Sequence, residues 1–102
     1  MGGRVQPWSG PAPSREDIEA TFEREGLSPR AWGNAPGDTY DWHDHTYHKV
    51  LYCLSGSIVF HTPEGDLELH AGDRLDLDPG TQHAATVGTD GVQCMEAPRS
   101  AG

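Results

Sequence analysis

The sequence is short of cysteine, of positive charge and of long apolar runs, and each shortage excludes a class of protein. Lysine and arginine number 7 against 16 aspartates and glutamates, which gives a net charge of −9. Such an acidic surface repels phosphate backbones, so nucleic acid is not an expected partner. No apolar run reaches the ~18 residues that a membrane span needs. The first residues lack the apolar core of a signal peptide, so we expect a cytoplasmic protein with no membrane partner.

Only 2 cysteines are present, Cys53 and Cys94. Without a secretion signal, two separated cysteines favour buried thiols over a disulfide. Glycine and proline are plentiful instead, with 13 and 8 residues in a chain of 102. They separate short apolar runs, and this pattern predicts a single β-rich domain. Short strands with frequent turns are typical of a sandwich or a barrel.

The chain divides into an arm and a domain. Residues 1–13 are rich in Gly and Pro and predict a flexible N-terminal arm, whereas residues 14–102 predict the domain. Within it, the β pattern of the barrel covers about residues 30–97. Trp8 is the one sizeable apolar group of the arm. The sequence leaves open whether Trp8 is disordered or docks on this subunit or a neighbouring one.

Residues 14–26 predict the one helix. Ser14 is a good N-cap, and Asp17 three residues later completes a capping-box pattern. Ile18 and Phe22 fall on one face, and Gly26 is a natural C-terminal stop. Because this apolar stripe is narrow, the helix is expected to lie over the outside of a larger body.

The histidines cluster in the stretch YDWHDHTYHKVLYCLSG, residues 40–56. The alternation of a strand puts one set of side chains on the inward face, namely His43, His45, Tyr47, Lys49, Leu51 and Cys53. Two histidines two residues apart on one strand face can bind the same ion. The third nitrogen must come from elsewhere in the chain, and His83, just after a Pro-Gly turn, is the candidate.

The sequence predicts no metal-binding role for the remaining histidines. His48 belongs to the opposite strand phase, so we expect it to face solvent; a bulge would be needed to make it a substitute fourth ligand. His61 and His70 flank a predicted hairpin and are expected to be exposed.

At these positions the chain resembles the single-domain cupins, RmlC-like jelly-roll barrels also described as double-stranded β-helices. The first cupin motif is Gly, five residues, His-x-His, three or four residues, Glu, six residues, Gly. Gly37, His43, His45 and Gly56 stand at its spacing, but Lys49 replaces the Glu. The resemblance implies an all-β cupin barrel with one short N-terminal helix added.

The second cupin motif is Gly, five residues, Pro-x-Gly, two residues, His, three residues, Asn. Gly72, Gly80 and His83 match it. Asp78 stands at the Pro position, and Val87 replaces the Asn. The resemblance covers residues 37–97, and it identifies the fold better than any one reaction, because one fold hosts many functions.

The resemblance also implies a metal site. In the family, the motif-one histidines, the Glu and the motif-two histidine hold the metal, which gives His43, His45 and His83 here. Without the Glu, three neutral imidazoles and an open position suit Zn²⁺. A three-histidine Fe²⁺ site is the alternative, since ligand softness does not separate the two.

Lys49 at the Glu position has two interpretations. A divalent ion repels an ammonium group, so Lys49 is not an expected ligand. It either anchors a small anionic or amino-acid-like substrate, with Tyr47 and Glu96 as further substrate-anchoring candidates, or it pairs structurally with a carboxylate such as Asp41 or Glu96. Neither interpretation is favoured by the sequence.

The string HTYHKVLY and the preceding helix resemble the cupin half of bacterial hydrazine synthetases. That resemblance implies a zinc enzyme that joins nitrogen to nitrogen together with a separate synthetase partner. The alternatives are a three-histidine Fe²⁺ dioxygenase and a non-catalytic ligand-binding or accessory cupin. A barrel this small buries limited apolar surface, so a homodimer formed through edge strands and the arm is expected.

Overall fold

The structure is a computed structural model that describes residues 2–99. Met1 of the predicted arm and residues 100–102 of the predicted domain lie outside the described residues. The described part forms one helix and seven strands, in the order β1 (Gly3–Gln6), α1 (Arg15–Arg24), β2 (Arg30–Asn34), β3 (Thr39–His43), β4 (His48–Thr62), β5 (Gly65–His70), β6 (Arg74–Leu77) and β7 (His83–Arg99).

The predicted fold class is confirmed, because every strand pairing is antiparallel and one short helix precedes the barrel strands. Within residues 2–99, no helix is long and apolar enough to cross a membrane.

The barrel is organised around two long strands, β4 and β7, which pair with each other over most of their length. The first part of β4 also pairs with β6, and the second part pairs with β5. β2 and β3 flank β7 in the same way. The β4–β7 register shifts after Cys53 and again after Gly56. At Gly56 the backbone has φ 76°, and an added Cβ would collide with the Gly91 carbonyl oxygen, so glycine is required where the strand bends.

Alternation along β4 and β7 separates an inner core from an outer one. The inner core is continuous through the barrel and contains Leu51, Cys53, Ile58, Phe60, Leu69, Leu75, Leu77, Ala85, Val87, Val92 and Cys94. The outer core lies under the helix and contains Ile18, Phe22, Val50, Met95 and Ala97. Neighbouring residues such as Val50 and Leu51 therefore serve opposite faces of the sheet, as the period of a strand requires.

The helix begins as the sequence predicts. Asp17 N–H donates to Ser14 Oγ at 3.1 Å, and Ser14 N–H donates to Asp17 Oδ2 at 3.2 Å, which completes the capping box. Ile18 and Phe22 are both buried against the outside of the barrel. The helix itself is slightly shorter than predicted, Arg15–Arg24, with Glu25 as its C-cap.

The N-terminal arm differs from the expectation of a flexible segment. Gly3–Gln6 form β1, which pairs with β6 from Gly3↔Leu77 to Gln6↔Arg74. Trp8 docks on its own subunit: its backbone N–H donates to Asp73 Oδ1 at 2.8 Å, and its indole ring lies against Gly72. The sequence does not reveal this pairing, because the partner strand lies about 70 residues further along and pairing at that distance leaves no local pattern.

Candidate metal centre

Three histidines converge at one end of the barrel. His43 ends β3 and His83 begins β7, and these two residues are register partners in the sheet. His45 follows in the connection to β4. The ring centroids of His43 and His83 are 4.2 Å apart, and the His45 ring lies 5.0 Å from His43 and 5.2 Å from His83. Ligand atoms of all three lie within 4.8 Å of one another, so the structure brings together the three residues that the sequence singled out.

Hydrogen bonds orient two of these rings. His43 Nδ1 lies 2.6 Å from the Asp41 carbonyl oxygen, and His83 Nδ1 lies 2.9 Å from the Thr81 carbonyl oxygen. A carbonyl can only accept, so each Nδ1 carries the proton and donates. In the neutral tautomer that these contacts select, the Nε2 atom of each ring keeps its lone pair. This is the usual arrangement around a metal-bound histidine, in which the outer nitrogen bonds to a backbone carbonyl or a carboxylate.

The inner nitrogens of His45 and His83 have no partner. Both Nε2 atoms are buried, and neither finds a hydrogen-bond partner within residues 2–99. An unsatisfied buried polar atom costs about 1–3 kcal/mol, so two of them at one point require an explanation. A metal ion held between the rings would satisfy both, and the donor set therefore fits one.

Electrostatics keep these rings in the form that binds metal. Burial lowers the pKa of His45, and the nearby Lys49 cation lowers it further. Burial also lowers the pKa of His83, although the hydrogen bond to the Thr81 carbonyl acts in the opposite direction. Both imidazoles are consequently neutral at neutral pH, and neutral imidazole is the ligand form.

The histidines form one wall of a cavity of about 270 Å³. Its lining combines aromatic and charged side chains from four strands and the connection before β4, namely Arg30, Trp32, Tyr40, His43, His45, Tyr47, Lys49, Phe60, His83, Ala85 and Glu96. Lys49, Tyr47 and Glu96, the three predicted substrate-anchoring residues, all lie in this lining. The volume suits a small molecule of a few heavy atoms more than an extended chain.

Lys49 forms an ion pair inside this cavity. It is buried, with 7% of its surface exposed, and its Nζ lies 3.4 Å from Glu96 Oε1. Glu96 Oε1 also accepts a hydrogen bond from Trp32 Nε1 at 2.6 Å. Of the two carboxylates considered for a structural pair, Glu96 is the one that Lys49 meets. Arg30 and Lys49 together carry two positive charges against the one negative charge of Glu96, so the lining retains an excess of one positive charge.

Tyr47 connects the metal ligands to the ion pair. Its ring stacks on His45 with centroids 4.9 Å apart and an interplanar angle of 26°. Burial raises the pKa of Tyr47, and the negative charge of Glu96 raises it further. The phenol therefore stays protonated at neutral pH and is available as a hydrogen-bond donor toward the cavity.

The other histidines lie outside this cluster. His48 is half-buried, and its Nε2 lies 3.1 Å from Asp76 Oδ2, so it makes a side-chain contact that the expectation of a solvated residue missed. His61 is also half-buried: its ring nitrogens lie 2.8 Å from Asp66 and 2.9 Å from Thr86. His70 is exposed, as expected.

Sequence reasoning missed five lining residues: Arg30, Trp32, Tyr40, Phe60 and Ala85. Alternation on β2 gives Arg30 and Trp32 a common face, and that signal was readable. The sequence does not show which strand β2 lies beside, because the register Arg30↔Glu96 joins residues that are far apart in the chain.

Comparison with known proteins identifies the family. The family model of the cupin domain matches residues 32–95, which is more than half of the chain. The chain belongs to the cupin family. The three histidines of this cupin are those predicted as metal ligands from the two motifs, and they lie close enough together to hold one ion. Comparison with curated protein sequences gives no match.

Solved structures share the fold of this cupin. A Rhizobium leguminosarum protein of unknown function is 13% identical, with a TM-score of 0.68, and the match covers 82% of this chain and 92% of that one. A cupin-2 domain protein from Shewanella frigidimarina is 18% identical, with a TM-score of 0.62 and coverages of 92% and 83%. A structure from work on the DMSP lyases RdDddP and RnDddQII is 31% identical, with a TM-score of 0.62, and the match covers 74% of this chain but 38% of that one.

Proposed function

We propose that this cupin is a zinc-dependent enzyme that acts on a small carboxylate or amino-acid-derived substrate. The observation that carries the proposal is the pair of buried Nε2 atoms on His45 and His83, beside His43, that find no hydrogen-bond partner among the described residues. Three neutral imidazoles with an open position are a ligand set typical of catalytic zinc. A bound zinc ion would supply Lewis-acid chemistry. Iron(II) is the alternative metal.

Lys49 is proposed to bind the carboxylate of the substrate. An ammonium group has three N–H donors, and the single 3.4 Å contact with Glu96 leaves donors for a ligand. Glu96 fixes the position of Lys49 and is itself held by Trp32. Tyr47 can donate a hydrogen bond to a second polar group of the substrate. Aromatic side chains on the remaining walls would replace part of the water around a bound substrate and so strengthen these contacts.

The narrowest form of the proposal is nitrogen–nitrogen bond formation with a separate synthetase partner. Its support is the string HTYHKVLY and the helix before it. The test is to combine the purified cupin with a candidate synthetase, two amino acids and ATP, and to look for a hydrazine product by mass spectrometry. Product that forms equally well without the cupin would contradict this form of the proposal.

A second candidate is a lyase reaction. The 31% identity to a structure from work on DMSP lyases, over 74% of this chain, is the observation that favours it. DMSP therefore belongs among the first compounds to be tested. Turnover of DMSP by the metal-loaded protein would select the lyase. Binding of small carboxylates with no turnover of any candidate would select a non-catalytic binding or accessory role.

Metal analysis is the experiment that tests the proposal directly. We expect about one zinc ion per chain, because the three ring nitrogens form a single site. His83→Ala should lose the ion, whereas His48→Ala should retain it and is the matched control. Absence of metal after reconstitution would overturn the proposal. Oxygen consumption on addition of Fe²⁺ with a 1,3-diketone or thiol substrate would instead support the hypothesis of an Fe²⁺ dioxygenase.

We also propose that the protein is a cytoplasmic homodimer. β1 already pairs within its own chain, so the contact is proposed to use the exposed β3 edge, where Tyr40 and Trp42 are exposed. Light scattering should give twice the mass of the chain, and Trp42→Lys should return it to the monomer mass. A monomer mass for the unaltered protein would contradict the proposal.

A further inference from the structure

The two cysteines of the chain meet inside the barrel. Cys53 on β4 and Cys94 on β7 are register partners, and both point into the inner core. Both are free thiols, as the sequence predicted, and both have 0% of their surface exposed. They lie 41 positions apart in the chain, so their proximity is a product of the fold.

Backbone hydrogen bonds show what kind of strand pair this is. Cys53 N–H donates to the Asp73 carbonyl at 3.1 Å, and the Cys53 carbonyl accepts from Gly72 N–H at 2.8 Å. Both backbone groups of Cys53 therefore face away from β7, and Cys53 and Cys94 form a non-hydrogen-bonded pair. In such pairs the Cα atoms are typically ~4.5 Å apart and the side chains are closest. Disulfides need Cα separations of roughly 4.4–6.8 Å, so this pairing meets the requirement.

We propose that Cys53 and Cys94 are an oxidative modification site that forms a reversible intrachain disulfide. No rearrangement of strand pairing is required, because the two residues already face each other across the sheet. The register shift directly after Cys53 interrupts the β4–β7 ladder there. A small oxidant can reach the thiols when this irregular part of the ladder opens.

The two thiols differ in a way that assigns their roles. The neighbouring Cys94 side chain lowers the pKa of Cys53, whose Sγ also lies 3.5 Å from the Ser55 carbonyl oxygen and 3.7 Å from that of Gly56. The contact with Cys53 and then burial raise the pKa of Cys94. The sulfur with more thiolate character is the better attacking group. Cys53 is therefore the first sulfur to react, and Cys94 is the resolving thiol.

With hydrogen peroxide as the oxidant, the step balances. The Cys53 thiolate attacks one peroxide oxygen, the O–O bond breaks, and one water leaves with the thiol proton, so Cys53 becomes a sulfenic acid. The Cys94 sulfur then attacks the Cys53 sulfur, the S–S bond forms and the S–O bond breaks. The Cys94 proton leaves in a second water. Two thiols are oxidised and one peroxide is reduced; a dithiol reductant reverses the change.

The link would lie next to the strand positions that carry the Lys49–Glu96 pair of the cavity lining. Glu96 is two residues from Cys94 on the same face of β7, and Lys49 is four residues from Cys53 on the same face of β4. A disulfide would therefore join the two strands that carry the Lys49–Glu96 pair. Oxidation is expected to fix the separation of these strands at the base of the cavity.

The test is oxidation of the folded, full-length protein with hydrogen peroxide, followed by denaturation, alkylation and intact mass analysis. We expect a loss of about 2 Da, protection of both thiols from alkylation, and a peptide that contains residues 53 and 94 joined through sulfur. Dithiothreitol should restore both thiols. Because the link closes a long loop of the unfolded chain, the thermal midpoint should rise by roughly 10 °C.

Cys94→Ala is the matched variant. It should show no loss of 2 Da and should collect oxygen on Cys53, since the resolving thiol is missing. Three results would each overturn the proposal. They are unchanged thiols in the unaltered protein, mixed oxygen adducts without a disulfide, and disulfides that form only between two chains. A link that lowers the thermal midpoint would also overturn it, because the strands would then have to distort to form the bond.

Discussion

Two ion clusters of this cupin, a partly buried one under the helix and one in the cavity, are bonded very differently. Under the helix, Arg74 donates from Nη1 to Glu25 at 2.6 Å, from Nη2 to Glu25 at 3.1 Å and from Nε to Asp76 at 2.7 Å. In the cavity, Lys49 has one contact with Glu96 at 3.4 Å. The first cation is surrounded by carboxylate oxygens, whereas the second keeps unused donors.

The difference separates a structural ion cluster from one that can take part in function. The guanidinium group of Arg74 has a rigid fork of donors that matches carboxylates, and here it ties the end of α1 to β6. Lys49 is the only lysine in the sequence. It carries a mobile, compact charge that a ligand can share with Glu96. We therefore expect changes at Arg74 to affect stability, and changes at Lys49 to affect binding.

The largest expected effect is on stability, from Arg74→Met. The variant removes the main cation of the cluster and leaves Glu25 with Arg99, and Asp76 with His48 and Arg4. Breaking a buried cluster costs about 3–5 kcal/mol, so a loss of about 3 kcal/mol is expected in this partly buried one. Chemical denaturation should show this loss, while the metal content of protein that remains folded should not change. Arg15→Met is the matched control, because the Arg15–Glu19 pair is exposed and should contribute less than about 1 kcal/mol. Equal losses of stability in both variants would mean that the Arg74 cluster stabilises the fold no more than an exposed ion pair does.

The next effect is on binding, from Lys49→Met. A charge-assisted hydrogen bond contributes about 1.5–3 kcal/mol, so affinity for a small carboxylate should fall roughly 10- to 150-fold while the metal is retained. Lys49→Glu restores the family's fourth ligand, and it should bind metal more tightly and exclude the anion by charge repulsion. Calorimetric titration with zinc and with a small amino acid measures both. Loss of metal from Lys49→Met would show that Lys49 supports the metal, and unchanged ligand affinity in both variants would show that it is structural.

Acid should weaken the cluster under the helix. Although burial alone would raise the pKa of Asp76, hydrogen bonds from Arg74 and His48 hold it below its ordinary value. The charged or titratable groups that face Asp76 are Arg74 on its own strand, His48 on β4 and Arg4 on β1. A lowered folded-state pKa means that this stabilisation is present above the unfolded pKa and disappears as pH falls through the folded one.

We therefore expect the stability of the unaltered protein to fall more steeply below about pH 4 than that of Asp76→Asn. The loss should be smaller than for Arg74→Met, because protonation removes one partner of Arg74 and leaves Glu25. Denaturation curves collected between neutral and acid pH in both proteins make the comparison. Parallel pH profiles would show that Asp76 is not the responsible group.

The sequence predicted the site better than it predicted the surroundings of the site. His43, His45 and His83 were identifiable because the His-x-His pair and the spacing of two motifs are local properties. The single strand predicted to carry His43 and His45 is wrong, since β3 ends at His43 and β4 begins at His48. The partner of Lys49 was one of two possibilities, and Trp32 was not anticipated, since both depend on which strands lie beside β7. The β1–β6 pairing was missed for the same reason. Register between distant strands is fixed by the packing of the whole barrel, so it cannot be predicted from any single segment of the sequence.

The smallest expected effect comes from Trp32→Phe, which tests how the Lys49–Glu96 pair in the cavity is held. Trp32 Nε1 donates to the same Glu96 oxygen that Lys49 approaches, so this indole competes with Lys49 for the carboxylate. Its loss should cost roughly 1 kcal/mol of stability, the typical contribution of one hydrogen bond. Glu96 should then hold Lys49 more strongly, and ligand affinity should fall slightly. In a Glu96→Gln background the same substitution should cost less, because the carboxylate charge is gone. A double-mutant cycle measures the coupling, and a coupling energy of zero would mean that Trp32 only fills space.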